Sequence, residues 1–355
     1  MVTAYELGLP AVRTSAPRDP GRPADPRLVD TFGRVATDLR ISLTDRCNLR
    51  CSYCMPAEGL DWMPRAEQLT DDELVRLIGI AVRDLGITEL RFTGGEPLLR
   101  RGLEGLIAAA AALTPRPDIS LTTNAIGLAR RAASLAAAGV DRLNVSMDTL
   151  RQDRFATITR RDRLSDVLAG LVAARSAGLR PIKINTVLLR GVNDDEAVPL
   201  LRFAVEHGYE LRFIEQMPLD AQHGWDRATM VTAEEILASL QAEFDLTPVG
   251  EDERGSAPAE EWVVDGGPGR VGVIASVTRP FCGSCDRVRL TADGQLRNCL
   301  FAREESDLRG AMRAGASDEE LGARMRASLL AKLPGHGIDD TGFLQPTRPM
   351  SAIGG

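Results

Sequence analysis

The chain has 355 residues, 44% hydrophobic and 26% charged, a composition typical of a globular protein that excludes disordered and collagen-like classes. Its formal net charge of −7 argues against a nucleic-acid coat or an anionic-membrane binder, because both present a basic surface. The sequence shows no apolar run near the roughly 20 residues that cross a bilayer and no signal-type segment, so we expect a cytoplasmic protein without a membrane or nucleic-acid partner.

Residues 1–30 are rich in Pro, Arg and Gly without apolar periodicity, and we interpret them as a mobile N-terminal leader. From about residue 35, apolar strand-like segments alternate with amphipathic stretches in six βα units. The predicted strands are RVATDLRISLT, TELRFTG, DISLTTN, DRLNVSMD, PIKINTVLL and YELRFIEQM. The predicted helices lie near residues 70–85, 101–113, 127–138, 164–177 and 193–206. Such repeats imply parallel strands with right-handed crossovers.

Several of these strands alternate in polarity, which separates a barrel from a doubly wound sheet. In DRLNVSMD, residues Leu143 and Val145 share one face, while Asn144 and Ser146 share the other. A doubly wound sheet, buried on both sides, would instead give nearly continuous apolar runs. The pattern predicts a partial (β/α)6 TIM-like barrel over residues 31–230, with a polar, ligand-sized lumen.

A C-terminal domain is predicted over residues 231–340, followed by a tail over residues 341–355. The domain begins with a helix near 232–243 and a Gly/Pro/Glu-rich loop near 249–262. A strand, RVGVIASV, follows, and then a hairpin that turns at Asp293-Gly294. Two further helices are predicted near 303–314 and 317–332. Lysine occurs only at Lys183 and Lys332, so each lysine is conspicuous.

All six cysteines fall in two triplets, which indicates metal ligation. Disulfides are a poor explanation, because three is an odd number and a cytosol keeps thiols reduced. The first triplet, Cys47, Cys51 and Cys54, forms CxxxCxxC directly after the first strand. Functional sites of such barrels gather at the mouth where this loop opens. A [4Fe–4S] cluster with one open iron explains three ligands best; zinc completed by a remote ligand is the alternative.

This motif resembles the signature of the radical S-adenosylmethionine (SAM) superfamily, with the aromatic Tyr53 before the last cysteine. The second predicted strand ends in Gly94-Gly95-Glu96-Pro97, which resembles the GGEP motif that binds SAM in these enzymes. Glycine suits a close backbone approach, because it has no Cβ. GGEP alone would be read as an ordinary strand-to-helix turn.

The second triplet, Cys282, Cys285 and Cys299, is again a set of three without a neighbouring histidine. A second open [4Fe–4S] cluster is the economical interpretation, and zinc is the alternative. Arg287 and Arg289 follow Cys285 and would share one face of a strand, where two guanidinium groups can converge on an anion. An isolated RxR pair is more often a solvated edge.

From about Arg40 to Gly355 the sequence resembles the GTP 3′,8-cyclases of molybdenum cofactor biosynthesis. The resemblance implies a radical SAM barrel whose C-terminal extension carries a second iron–sulfur cluster. It implies SAM contacts at Tyr53, Gly94, Gly95, Glu96, Ser146 and Met217. It implies GTP contacts at Arg40, Arg91, Thr122, Lys183, Arg287, Val288, Arg289 and the terminal Gly354 and Gly355. Glu89 stands where some relatives have a basic residue, so we assign it no phosphate role.

The resemblance also implies the reaction and its partners. A 5′-deoxyadenosyl radical would abstract the ribose 3′ hydrogen of GTP, and the product would be (8S)-3′,8-cyclo-7,8-dihydroguanosine 5′-triphosphate. The implied cofactors are SAM and two [4Fe–4S] clusters, with a one-electron reductant and cyclic pyranopterin monophosphate synthase as partners. The alternatives are a radical SAM peptide-modifying enzyme with an auxiliary cluster, and a non-catalytic iron–sulfur electron-transfer or sensor protein. A homodimer is left open.

Overall fold

The computed structural model describes residues 25–354; residues 1–24 of the predicted leader, and Gly355, lie outside the described residues. The last residues of the predicted leader, from residue 25 onwards, include one that packs in the hydrophobic core. Leu28 is 1% exposed, and its N–H donates to the Leu85 carbonyl. The predicted leader boundary at residue 30 is therefore wrong, because Leu28 already belongs to the core.

Six parallel strands form the centre of the sheet, as their alternating sequences predict. They are β1 (Asp38–Ser42), β2 (Glu89–Thr93), β3 (Asp118–Thr123), β4 (Arg142–Ser146), β5 (Ile182–Thr186) and β6 (Glu210–Ile214). They lie side by side in chain order, and each pairing is parallel. Leu143 and Val145 are fully buried in the core, whereas Ser146 lines a cavity, so the predicted two-faced strand is confirmed.

The C-terminal region adds strands to both edges of this array. They are β7 (Leu246–Pro248), β8 (Glu260–Val264), β9 (Arg270–Ile274), β10 (Arg287–Leu290), β11 (Gln295–Arg297) and β12 (Ser306–Asp307). Strand β9 pairs in parallel with β6, and β10 pairs in parallel with β1. The sheet order, β12-β11-β10-β1-β2-β3-β4-β5-β6-β9-β8-β7, has two edges, so the barrel is open. The domain boundary predicted at residue 230 therefore falls between β6 and β7, which belong to the same continuous sheet.

The helices cover the outer face of the sheet or follow its C-terminal strands. They are α1 (Asp71–Asp84), α2 (Leu103–Ala111), α3 (Ala132–Ala138), α4 (Gln152–Thr159), α5 (Leu164–Ser176), α6 (Ala197–His207), α7 (Ala233–Gln241), α8 (Glu251–Arg254), α9 (Leu308–Arg313), α10 (Asp318–Leu330) and α11 (Met350–Ile353). Thr70 and Glu73 form a capping box that starts α1, and Ser317 and Glu320 start α10 in the same way. No helix within residues 25–354 has the length and apolarity that a membrane crossing requires.

One prediction of local structure needs correction, and another is confirmed. The segment 249–262, predicted as a loop, contains α8 and the first half of β8. Because this segment is rich in Gly, Pro and Glu, its sequence does not indicate that β8 begins there. Trp262 and Val264 of β8 are buried. The hairpin at Asp293-Gly294 is confirmed, since β10 and β11 pair antiparallel and Gly294 adopts φ +76°.

Candidate functional site

One cavity of about 330 Å³ opens where the parallel strands end. That volume lies in the range of roughly 300–1,000 Å³ typical of small-molecule sites. Its wall includes all six cysteines: Cys47, Cys51, Cys54, Cys282, Cys285 and Cys299. Two triplets that are far apart in sequence therefore face the same space.

The first triplet lies in the loop after β1 and is held by backbone bonds. The N–H of Cys54 donates to the Cys51 carbonyl at 2.9 Å, which makes a tight turn between these two residues. Two neutral donors approach the Cys47 sulfur: the Leu49 N–H at 3.4 Å and the Asn124 side-chain amide at 3.8 Å. Amide donors of this kind suit a sulfur that carries negative charge.

Burial dominates the electrostatics of this triplet. Desolvation raises the pKa of Cys47 to about 11 and that of Cys54 to about 12, and it raises the pKa of Cys51 well above its ordinary value. Asp148 and the neighbouring cysteines act in the same direction on Cys51. Thiolates at these positions therefore need a strongly positive partner such as iron, and ligation would release protons.

The two glycines of the GGEP motif pack against the cysteine loop. A Cβ on Gly94 would lie 2.5 Å from the Thr44 carbonyl oxygen, and one on Gly95 would lie 2.3 Å from that of Arg46. The Gly95 N–H donates to the Thr44 carbonyl at 2.6 Å. Both glycines also line the cavity. The close backbone contacts that require glycine are therefore contacts with Thr44 and Arg46, in the segment that leads into Cys47.

Glu96 supports a neighbouring loop, and its side chain does not line the cavity. It is 1% exposed, and its carboxylate accepts bonds from the Thr123 hydroxyl and the Asn124 N–H, both at 2.7 Å. Burial raises the pKa of Glu96 to about 7. The prediction that Glu96 itself contacts a cofactor is corrected: its carboxylate is consumed in positioning the end of β3.

The remaining predicted SAM residues lie on the cavity wall. Tyr53, Ser146 and Met217 all line it. The Tyr53 hydroxyl donates to Asp148 at 2.8 Å, and the opposite Asp148 oxygen accepts from the Val187 N–H at 2.9 Å. Burial raises the pKa of Asp148 to about 6. Asp148 fixes the tyrosine ring, a role that the sequence analysis did not assign.

The second triplet is set between the sheet extension and the cavity. Cys282 begins a short 3-10 turn, Cys285 lies two residues before β10 begins, and Cys299 lies two residues after β11 ends. Burial would raise the pKa of Cys285, but the charges of Arg287 and Lys332 outweigh it and leave the pKa below its ordinary value. The electrostatic surroundings of Cys285 are therefore opposite in sign to those of Cys51.

Three arginines form a row across adjacent strands. Arg289 of β10 is in register with Arg40 of β1, which is in register with Arg91 of β2. All three line the cavity, as does Arg287, two residues before Arg289 on the same strand. The prediction that Arg287 and Arg289 share one face is confirmed. Thr122 of β3 also lines the cavity.

Two carboxylates, Asp38 and Asp286, accompany these four guanidinium groups. Asp38 lies 3.4 Å from Arg40 and 3.8 Å from Arg91. Burial works against its charge, but Arg40, Arg91, Arg287 and Arg289 hold the pKa of Asp38 below its ordinary value. Burial and neighbouring arginines lower the pKa of Arg40 to about 10 and that of Arg289 to about 9. The Nε of Arg91 is buried without a hydrogen-bond partner, and that of Arg287 lies 3.6 Å from Asp286. This excess of positive charge and unused donors fits a polyanion.

Two predicted substrate contacts need correction. Lys183 does not line the cavity, and its Nζ lies 2.9 Å from Glu210, which neutralises it. Val288 is 1% exposed and packs in the core, so its side chain faces away from the site. Arg212 of β6 lines the cavity instead, with its Nε buried and unpartnered. The alternation of Glu210 and Arg212 on the polar face of β6 was the available signal for it.

The C-terminal tail enters the barrel mouth. Helix α11 leads to Gly354, whose carbonyl accepts a hydrogen bond from Arg289. A Cβ on Gly354, where φ is +90°, would lie 2.9 Å from the Thr93 side chain and 3.0 Å from that of Ser42. Gly354 therefore fits between the ends of β1 and β2, where a larger residue would collide. The prediction for Gly355 lies outside the described residues.

The geometry of both triplets bears on the choice between zinc and a cluster. Across residues 25–354, no three Cys, His, Asp or Glu side chains converge on a single ion position. A structural zinc site places its ligands around one ion at roughly 2.0–2.3 Å. In a cube of four irons each cysteine binds a different iron, so three thiols spaced around a common wall suit a cluster.

Two family models match the chain in succession. Residues 41–204 match the model described as Radical SAM superfamily, and residues 209–338 match Molybdenum Cofactor Synthesis C. The chain is 68% identical over 328 residues to a GTP 3′,8-cyclase of Streptomyces coelicolor, covering 92% of this chain and 96% of that relative. It is 60% identical over 354 residues to a GTP 3′,8-cyclase of Mycobacterium sp. strain KMS, covering 100% of both.

A solved structure supports the fold independently. The crystal structure of Streptococcus suis SuiB bound to S-adenosylmethionine superposes with a TM-score of 0.56 at 12% identity, covering 82% of this chain and 68% of that one. At this identity the likeness concerns the fold alone. Radical SAM proteins use SAM and a [4Fe–4S] cluster, for which the CxxxCxxC loop is present here. On its identity to full-length relatives, the chain belongs to the radical SAM superfamily and, within it, to the GTP 3′,8-cyclase family of molybdenum cofactor biosynthesis.

Proposed function

We propose that this protein converts GTP into (8S)-3′,8-cyclo-7,8-dihydroguanosine 5′-triphosphate. The observation that carries the proposal is one cavity whose wall holds a CxxxCxxC triplet, a second cysteine triplet and a row of arginines. The first triplet would hold the cluster that acts on SAM, and the arginines would hold the triphosphate. A peptide substrate would not call for this concentration of buried positive charge.

A second [4Fe–4S] cluster at Cys282, Cys285 and Cys299 is the next part of the proposal. These cysteines are free, half-buried and directed to the same cavity as the first triplet. Three protein ligands leave one iron open to a further ligand. Because Arg287 lines the cavity two residues after Cys285, a nucleotide held by the arginine row would lie near that open position.

The arginine row binds and orients the substrate. Guanidinium groups donate paired N–H bonds to phosphate oxygens, and the buried Nε atoms of Arg91 and Arg212 have no hydrogen-bond partner in the protein. Asp38 keeps Arg40 and Arg91 extended into the cavity through its two contacts. In a chain of net charge −7, this local concentration is what attracts a polyanion.

When bound, SAM and the first cluster supply the 5′-deoxyadenosyl radical that abstracts the 3′ hydrogen of the ribose. The protein contributes alignment and protection from water. Gly94, Gly95, Ser146 and Met217 form the wall near the first triplet and would seat SAM there. Tyr53, fixed by Asp148, keeps the wall between Cys51 and Cys54 rigid.

We infer that the tail completes the substrate site. The Gly354 carbonyl, by accepting a bond from Arg289, orients that guanidinium within the row. Arg348 anchors the tail on the β10–β11 hairpin by pairing with Asp293 at 2.7 Å. Deletion of Gly354 and Gly355 should reduce cyclic product while iron content and SAM binding persist. Full cyclisation by the shortened chain would contradict this role.

The proposal includes partners and compartment. A one-electron reductant must supply electrons, and cyclic pyranopterin monophosphate synthase would take up the product. We place the reaction in the cytoplasm, where thiols remain reduced for cluster assembly.

Anaerobic turnover tests the function. Reconstituted protein, dithionite, SAM and GTP should yield 5′-deoxyadenosine and the cyclised nucleotide, both measured by chromatography with mass detection. Guanosine, which lacks the triphosphate, and a cysteine-containing peptide serve as matched substrates and should give neither product above background. SAM cleavage stimulated by peptide would favour the peptide-modifying alternative. Cluster assembly without SAM cleavage under any condition would leave the non-catalytic alternative.

A further inference from the structure

Lys332 is one of two lysines in the chain, and it is buried beside the second triplet. The residue directly follows the C-terminal end of α10, where its N–H donates to the Leu329 carbonyl at 2.9 Å. It is 4% exposed. A lysine is rarely buried to this extent unless a specific partner compensates its charge.

The three donors of the Lys332 ammonium are directed at the segment that carries Cys285. Its Nζ lies 3.0 Å from the Cys285 carbonyl oxygen, 3.0 Å from the Arg287 carbonyl oxygen and 3.5 Å from the Cys285 sulfur. Among the described side chains, no carboxylate lies within 4.0 Å of this Nζ. The three bonds use all the hydrogens of the ammonium, but the nearest group able to carry a full negative charge is the Cys285 sulfur.

Arg34 is a second cation that contacts the same segment, but a carboxylate balances its charge. Arg34 donates to the Cys282 carbonyl at 2.7 Å and to the Leu333 carbonyl at 2.7 Å. Its guanidinium also pairs with Asp30, so its charge is countered within the protein. Arg34 and Lys332 together fix residues 332–333 to the cysteine segment, but only Lys332 presents an unpaired charge to a sulfur.

We propose that Lys332 positions Cys285 as a ligand and raises the reduction potential of the cluster at the second triplet; this rests on the second cluster in the proposed function. Hydrogen bonds to ligand sulfurs and nearby charge set the potentials of iron–sulfur clusters. Reduction adds a negative charge, and a fixed ammonium 3.5 Å from a ligand sulfur stabilises that charge in a buried setting.

The first triplet differs from the second in the charge of the groups that approach its sulfurs. The donors that reach the Cys47 sulfur are neutral amides, from Leu49 and Asn124. The nearest charged influences on Cys51 and Cys54 include the carboxyl groups of Asp148 and Asp220. Lys332 therefore gives the second triplet a charged donor to a ligand sulfur, whereas the donors to Cys47 are neutral.

Full-length protein with Cys47, Cys51 and Cys54 replaced by alanine isolates the second cluster for measurement. In this parent we compare Lys332→Gln, which keeps an amide donor but removes the charge, with Lys332→Arg, which keeps the charge. Arg324→Gln, on the exposed face of α10, is the matched control for loss of a cation. Iron and sulfide are counted, and the midpoint potential is measured by redox titration with electron paramagnetic resonance.

Lys332→Gln should shift the midpoint potential to more negative values, Lys332→Arg should restore it towards the parent value, and Arg324→Gln should leave it unchanged. If Lys332→Gln fails to assemble the cluster, recovery of iron in Lys332→Arg supports the charge argument. Equal potentials in parent and Lys332→Gln overturn the inference, as does an equal shift or loss of iron in both lysine variants. If the parent protein binds no iron, the second cluster itself is refuted. The iron content of the parent is therefore measured before any lysine variant is made.

Discussion

Replacement of Arg289 by glutamine should stabilise the ligand-free protein against unfolding and should weaken its binding of GTP. Arg289 is 5% exposed and lies in register with Arg40, so two guanidinium groups face each other across neighbouring strands. Glutamine keeps an N–H donor, but it is uncharged and shorter than arginine, so it also reaches less far towards the Gly354 carbonyl. The stability of the variant therefore reports the loss of the charge together with a weaker bond to the tail.

The magnitude follows from the charge environment of Arg289. Burial, and then repulsion from Arg40 and Arg287, lowers its pKa to about 9 from 12.5. At about 1.4 kcal/mol per pKa unit, keeping this guanidinium charged costs on the order of 5 kcal/mol. Replacing a charge-assisted hydrogen bond to Gly354 with a neutral one loses about 1–2 kcal/mol. The ligand-free variant should therefore gain about 3 kcal/mol.

GTP binding should change in the opposite direction. Loss of one buried charged contact costs about 2–5 kcal/mol, which is roughly a 30-fold to several-thousand-fold weaker Kd. Thermal melting with and without GTP, in a buffer free of phosphate, measures both effects at once. The variant should melt several degrees higher alone, and GTP should raise its melting temperature less than that of the wild type.

Arg142→Gln is the matched control, because Arg142 pairs with Glu89 and Asp118 outside the cavity. It should leave the GTP-dependent increase in melting temperature unchanged and should not stabilise the ligand-free protein. A lower melting temperature for ligand-free Arg289→Gln, or an undiminished response to GTP, would refute the reasoning.

Three further predictions concern the walls of the cavity. Cys51→Ser should abolish SAM cleavage, whereas Cys285→Ser should retain uncoupled 5′-deoxyadenosine formation without cyclic product; equal loss of both activities in Cys285→Ser would contradict this division. Gly95→Ala should lower iron content at the first triplet, because its Cβ would lie 2.3 Å from the Arg46 carbonyl oxygen; unchanged iron counts would be inconsistent with this. The pKa of Glu96 is raised to about 7 from 4.5, so its contribution to stability is complete below about pH 4.5 and is lost as the pH rises through 7. Melting temperatures of Glu96→Gln should lack that decline, and a decline equal to the wild type would argue against it.

The βα pattern predicted the six central strands because period-two polarity and helical periodicity are local properties. It did not predict that β9 and β10 join opposite edges of the array, since strand pairing between residues 39 and 288 depends on tertiary contacts. Leu28 shows the same limit. A lone leucine among Pro, Arg and Asp gives no periodic signal, although it packs in the core.

Residues that line the cavity were predictable where a motif or a strand face carried them, as with Cys47 and Arg289. The errors arose where a residue of the right type had a partner that the sequence does not reveal. Lys183 lies on a polar strand face, but Glu210, in register on the next strand, neutralises it. Glu96 belongs to a motif, yet its carboxylate caps backbone groups at the end of β3.

The charges of the cavity are distributed so that its two ends favour ligands of opposite sign. Near the first triplet the wall includes Asp148, whose charge acts on Cys51, while β10 holds Arg287 and Arg289. SAM carries a positive sulfonium and an ammonium group, whereas a nucleoside triphosphate is a polyanion. Opposite charges attract and like charges repel more strongly in a buried site than in water. On the proposed function, this distribution of charge would direct SAM towards the first triplet and GTP towards the arginines of β10.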